Sequence, residues 1–343
     1  MRKYESLFSR KMSMRIKTIF LSIIFFVSLS ASAQQSDLKH IADWHGYTQF
    51  RYTTDFNNEN AFTMQRLKFW IQSAPDFNKH WGFKVQTTLS GSKDEQFFLQ
   101  DVMVFYRVNQ FKLNLGQFVP EYSLERFQPD YEIPLTDRAP VVNALVPDGT
   151  LGVRDLGFQF GWHSPNHKIQ SWLGFFNGYG IKEYRLNNSG FLITHKTQFN
   201  PSKNLSIGYS VMFRKSDQLE LKNILPDSLI FSGNEFRYNL FAEYNTKAFH
   251  MQAEYLSAFL NHSRADGYYV LAAYNFHKNQ FVASCNQYND LINSTKNDPI
   301  VHIGYNYLFD QNKVKLMADN SFQIIDHHLA NDILILQFQL FFK

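Results

Sequence analysis

Thiol chemistry is nearly absent from this 343-residue chain, whose one cysteine is Cys285. No intrachain disulfide can form, so hydrogen bonding and packing must hold the fold. Cys285 lies in the strand-like run Phe281-Val-Ala-Ser-Cys, with no histidine and asparagine arranged to activate it. A phosphate-cradling P-loop, a dinucleotide fingerprint, Cys-x-x-Cys and His-Glu-x-x-His are all missing. So is the Gly-x-Ser-x-Gly of serine hydrolases. His327 and His328 are adjacent, and neighbouring side chains of an extended chain point opposite ways, so they read as loop polarity. No catalytic residue, cofactor or metal ligand is expected. No short repeat supports a solenoid.

Long apolar runs are also lacking, save one. Mean hydropathy is −0.33, and the only sustained apolar stretch is 19–29. Arg15 and Lys17 precede it and Ala31-Ser32-Ala33 follows it, the pattern of a signal peptide cleaved before Gln34. Residues 1–33 therefore read as a targeting segment and 34–343 as the mature domain. The run is short for a helical span; an uncleaved N-terminal anchor is the alternative. Met12 and Met14 each begin a more usual signal, so 1–13 read as a misassigned upstream start.

An excess of charge is the third absence. The pI near 8.9 comes mainly from the leader, which holds six Lys or Arg and one Glu of the chain's 34 basic and 30 acidic residues. The remainder has 28 basic and 29 acidic residues, a net of −1. That balance gives no footing for nucleic-acid binding.

Aromatic residues, by contrast, are plentiful: 35 Phe and 18 Tyr help bring aromatics to 17%. Such rings suit strands and water–lipid boundaries. After Gln34 the chain alternates apolar and polar residues in segments of roughly ten, the period-two pattern of a membrane-spanning strand. Strands are expected at 44–54, 63–73, 81–89, 97–108, 111–118, 155–163, 168–176, 191–199 and 205–214. Seven more follow at 235–245, 249–260, 267–276, 280–288, 300–307, 313–322 and 333–342. Short turns alternate with longer loops such as 215–233, 261–266, 289–299 and 323–332, as in outer-membrane barrels. The final strand alternates Leu334, Leu336, Phe338, Leu340 and Phe342, with Lys343 after the terminal aromatic. In lipid every backbone polar group must be paired internally, so amphipathic strands without a helical span predict a closed barrel. The expected fold is all-β: a transmembrane antiparallel β-barrel of about 16 strands. A secreted β-sandwich is the blander alternative.

One excursion breaks the rhythm, Phe118 to Gly152. It carries Pro120, Pro129, Pro134 and Pro140, the acids Glu121, Glu125, Asp130, Glu132, Asp137 and Asp148, and the cations Arg126 and Arg138, with Arg154 just beyond. Loops of this length in a compact domain are usually functional. A barrel of about 16 strands is too wide for side chains to fill, so this loop is the expected constriction; a surface loop outside the mouth is the alternative.

Strand parity predicts which charges face the lumen. Before the excursion the inward set is Arg51, Arg66, Lys68, Lys84 and Lys112, with Asp101 as the only clear acid. After it the set is mixed: Lys196, Arg214, Arg237, Lys313 and Lys315 against Asp155, Glu235, Glu243, Glu254 and Asp319. Rings of basic side chains favour anions. Arg66, Lys68, Lys84, Lys112, Arg126, Arg138 and Arg154 are accordingly the candidate pore-lining residues.

The same region resembles a known family. Leu-Gly-Gln-Phe-Val-Pro-Glu-Tyr-Ser-Leu-Glu (115–125), Thr-Asp-Arg-Ala-Pro (136–140) and Gly-Val-Arg-Asp-Leu-Gly-Phe-Gln (152–159) are similar to segments of the phosphate-selective porin O and P family. The resemblance covers about residues 60–165. It implies a homotrimeric porin in the lipid of the bacterial outer membrane, with a basic lumen that conducts small anions such as phosphate. This chain departs from the family after Gly116-Gln117-Phe118, where Val119, Pro120 and Glu121 stand in place of the family's lysine and Pro-Phe pair. The expected function is passive diffusion of small solutes with a preference for anions. A plugged structural barrel or an enzymatic one is the alternative.

Overall fold

The computed structural model of the chain describes residues 43–58, 60–73, 78–90, 96–148, 153–181, 190–221, 224–225, 229–289, 291, 298–326 and 328–343. The expected signal peptide at 1–33 lies outside the described residues.

Sixteen strands form the wall. They are β1 (Asp43–Thr54), β2 (Asn60–Ser73), β3 (Trp81–Ser90), β4 (Gln96–Val108), β5 (Phe111–Phe118), β6 (Asp155–His163), β7 (Ile169–Phe176) and β8 (Phe191–Phe199). Then come β9 (Leu205–Glu220), β10 (Ile230–Asn245), β11 (Phe249–Leu260), β12 (Ser263–Phe276), β13 (Asn279–Asn289), β14 (Ile300–Asp310), β15 (Val314–Ile325) and β16 (His328–Phe342). Each pairs antiparallel with its sequence neighbours, and β1 pairs with β16 from Gly46↔Phe342 to Thr54↔Leu334, closing the barrel. Closure leaves no strand edge unpaired. Inside the seam, the Gln49 amide donates to Gln339 Oε1 at 2.7 Å.

Alternation sets the two faces. Leu115, Phe281 and Leu336 on the outer face are 57%, 52% and 44% exposed, as a wall solvated by hydrocarbon requires. Their neighbours Asn114, Gln280 and Gln337 are buried on the inner face. Five irregularities interrupt the register among the described residues, two of them on the wall of the open side. Gln49 pairs with Arg66 but Phe50 with Met64, leaving Gln65 extra. Likewise Gln86 pairs with Asp101 but Thr87 with Leu99, leaving Gln100 extra. The second bulge changes parity partway along β4.

Most departures from the expected boundaries lengthen the strands, although β7 starts one residue late, at Ile169, and β15 at Val314. β9 and β10 run into the expected loop 215–233, β12 starts at Ser263 inside 261–266, and β15 and β16 consume most of 323–332. Beyond the lipid a hairpin can continue with polar residues on its outer face, so hydrogen bonding persists after the apolar alternation has ended. The outward pair Arg264 and Asp266 on β12 illustrates this, with Tyr255 Oη donating to Asp266 at 2.6 Å. Lys313, expected inside, instead sits on the turn before β15, 60% exposed and 3.7 Å from Asp310.

The excursion folds into the lumen, as its length predicts. It contains a 3-10 turn, Glu125–Phe127, and a six-residue helix, α1 (Pro140–Leu145). No helix was expected among so many prolines. Pro140 occupies the first turn, where its missing N–H costs nothing and its fixed φ helps. Val141, Val142, Ala144 and Leu145 are buried, and α1 packs against β11, β12 and β13. The inner face of those strands carries an apolar patch beside polar residues such as Gln252 and Glu254: Leu256, Ala258, Tyr269, Leu271, Ala273 and Val282 join the helix in one core. Close docking requires Gly267, because a Cβ there would meet Val141 Cγ2 at 2.7 Å. Hydrophobic side chains thus fill the lumen around α1.

Candidate functional site

The excursion brings many backbone polar groups into the barrel, and buried groups of that kind need partners. The wall supplies them. Glu254 of β11 accepts from Ser123 Oγ (3.1 Å), Leu124 N (2.9 Å) and Glu125 N (2.7 Å), and also from Asn239 and Tyr269. Further along, Asn306 donates to the Pro134 carbonyl (2.6 Å), Lys315 to Ile133 (3.0 Å), Gln339 to Tyr131 (3.0 Å) and Arg237 to Val146 (2.8 Å). The loop is therefore tied to the wall from β10 to β16.

On the opposite side the lumen stays open. A cavity of about 650 Å³ lies between the loop and the wall formed by β2 to β6. All seven sequence-predicted cations line it. Most are already paired, and the loop provides much of the pairing. Asp130 Oδ2 lies 2.8 Å from Arg66 and 2.7 Å from Lys68, and it also accepts from Tyr47 Oη at 2.8 Å. Its other oxygen pairs with Arg138. Burial alone would push the Asp130 carboxyl up, but Lys68, Arg66 and Arg138 hold it well below the usual carboxylate range. Asp101 does the same for Lys84 (2.7 Å) and Arg154 (2.6 Å). Arg51 pairs with Asp137 at 2.7 Å. Parity marks Arg66 and Lys68 as inward but cannot say that a loop acid 62 positions away meets them; Asp130 is visible in the sequence only as one of several loop acids.

Arg126 and Lys112 differ from the rest. Neither makes an ion pair among the described residues. Lys112 Nζ lies 5.4 Å from the centre of the Phe105 ring. Arg126 has a buried Nε with no hydrogen-bond partner. Burial and the neighbouring Arg138 lower its guanidinium to about 9, against the pull of Asp130. Counting the described lining, seven cations face Asp101, Glu121, Asp130 and Asp137, so the cavity carries a net positive charge.

A second cavity of about 520 Å³ lies under the loop near the short turns of β7 to β15. Its described charges are Glu121, Glu132 and Glu243 against Lys196, with His250 3.1 Å from Glu243. Among the described residues, no group of three or more His, Cys, Asp or Glu could hold a metal ion.

Residues 42–320 match the family described as Phosphate-selective porin O and P. The chain belongs to that family. No curated protein sequence matches it. Among solved structures, the porin resembles Salmonella typhi OmpF in complex with daunomycin, at 11% identity and TM-score 0.65, covering 88% of this chain and 97% of that one. It also resembles the trimer form of Vibrio cholerae OmpT at 10% identity and TM-score 0.60, covering 88% and 99%. A substituted porin of Rh. blastica aligns at 11% identity and TM-score 0.61, covering 88% and 100%. At such identities the likeness is one of fold. The family and the barrel support an outer-membrane channel.

One polar cluster lies on the porin's outer face. Ser171 Oγ is 3.1 Å from His195 Nε2, and Thr197 Oγ1 shares that nitrogen at 3.3 Å. A nucleophile–base pair needs a third group to orient the imidazole, and among the described residues no acid bonds to this one.

Proposed function

We propose that this porin is a diffusion channel that prefers small anions, with phosphate as one candidate solute. The excess of cations over acids along the open side of the lumen carries the reading, above all Arg126 and Lys112, which make no ion pair among the described residues. An unneutralised guanidinium beside a water-filled path lowers the energy of a passing anion and raises that of a cation. Arg66, Lys68, Lys84, Arg138 and Arg154 extend the positive wall, tempered by Asp130 and Asp101. A homotrimer in outer-membrane lipid accords with the family and with the trimer form named for the OmpT relative.

The test is reversal potential in a planar bilayer across a KCl gradient, with phosphate added afterwards. Chloride preference, with current carried or blocked by phosphate, is the expected result. Cation preference would overturn the anion reading and leave a general porin. A folded barrel with no conductance would favour a plugged structural role; lipid hydrolysis lost on Ser171→Ala would favour an enzyme.

A further inference from the structure

The two cavities meet at a short stretch of the loop. Glu121, Phe127, Gln128 and Pro129 line both. Glu121 is the only charged residue of the four, so its carboxylate stands where the positive cavity joins the negative one. Its backbone N–H is fixed by Gln159 Oε1 at 2.9 Å, which sets the side chain's position at the beginning of the loop.

The other acids of the larger cavity are firmly neutralised. Asp130 is held by four donors, Asp101 by two cations, and Asp137 by two hydrogen bonds from Arg51. Glu121 has a single ion pair: Oε2 lies 3.3 Å from Lys196 Nζ. That ammonium is shared, since it donates to the Ser123 carbonyl at 2.8 Å and lies 5.0 Å from the Phe127 ring centre. Glu121 Oε1 has no partner among the described residues. Burial raises the Glu121 carboxyl above its usual value, and Lys196 and, more weakly, Lys112 on β5 pull it back down.

We propose that Glu121 is the selectivity-determining residue of the passage, its partly uncompensated carboxylate holding the anion preference down at the junction of the two cavities. The inference rests on the channel reading above. Glu121 offsets the field of Lys112 and Lys196 where solute passes from one cavity to the other. Removing its charge leaves both lysines acting on the path.

The experiment compares chloride-to-potassium permeability ratios of the wild-type porin and Glu121→Gln, from reversal potentials in KCl gradients. Loss of one unit charge beside the path raises the ratio about threefold in water-like surroundings. An unchanged ratio overturns the proposal. Glu121→Ala serves as a second variant if the glutamine porin does not insert, and the same rise is expected. Glu121→Asp keeps the charge and should keep the wild-type ratio; a rise equal to that of Glu121→Gln would make packing the cause and overturn the proposal. The sign of the wild-type preference tests the channel reading separately. A cation-preferring wild type that shifts towards anions on Glu121→Gln would refute that reading and support this one.

Discussion

Lys68 Nζ, on β2, lies 2.7 Å from Asp130 Oδ2 at the far end of the loop's traverse across the lumen. Arg66 and Arg138 meet the same carboxylate. One loop acid thus pairs with three of the candidate pore-lining cations, two placed by strand parity and one from the loop itself. Asp130→Asn should release all three. The expected outcome is a larger chloride preference in reversal-potential measurements. A lower unfolding temperature in detergent should accompany it, since removing one partner from a buried ion-pair cluster costs about 3–5 kcal/mol.

Glu254 is the reciprocal anchor, a wall carboxylate that receives two loop N–H groups and the Ser123 hydroxyl. Glu254→Ala leaves those donors buried without an acceptor, at about 1–3 kcal/mol each. The start of the loop should detach while the barrel, held by its backbone ladder, remains closed. Single-channel recordings should show larger and noisier conductance. A steady current of wild-type size would refute this anchoring role.

Docking of the loop should also depend on pH through Glu125. Burial, then the nearby Glu254 carboxylate, raises the Glu125 carboxyl from 4.5 to about 8, against the pull of Arg138 and Arg126. A docked loop keeps a proton that an undocked loop gives up near its ordinary value. Docking is therefore most stable below about pH 4.5, weakens as pH rises towards 8, and changes little above that. Excursions to larger conductance should grow more frequent from pH 5 to pH 8 in the wild type and stay level in Glu125→Gln.

The apolar anchor can be tested without touching any charge. Leu145 is fully buried between α1 and the wall. Leu145→Ala should cost about 2–5 kcal/mol of loop docking, seen as faster proteolysis of the loop in an otherwise intact barrel. Its chloride preference should stay at the wild-type value, because no lining charge has moved.

Much of this architecture is legible in the sequence because membrane strands obey a strict rule of two. The bounds of β5, β6, β8 and β11 coincide with their expected ranges, since lipid contact ends where the outward apolar residues end. Extensions beyond the lipid, as at β12 and β16, follow hydrogen bonding that hydropathy does not record. Parity likewise finds the inward position of Asp101 but not its partner Arg154, 53 positions away. The helix α1 has no amphipathic signal of sufficient length; its burial depends on the apolar patch on the inner face of β11 to β13, and in a lone sequence those residues are indistinguishable from lipid-facing ones.

That apolar patch divides the barrel by how it tolerates change. Inward substitutions on β2 to β5 border water and should alter which solutes pass while leaving the amount of protein in the membrane unaffected. Inward substitutions on β11 to β13 should do the reverse, reducing yield or assembly while sparing permeation in whatever protein matures. A saturation library scored for both traits would separate along a line running lengthwise down the barrel.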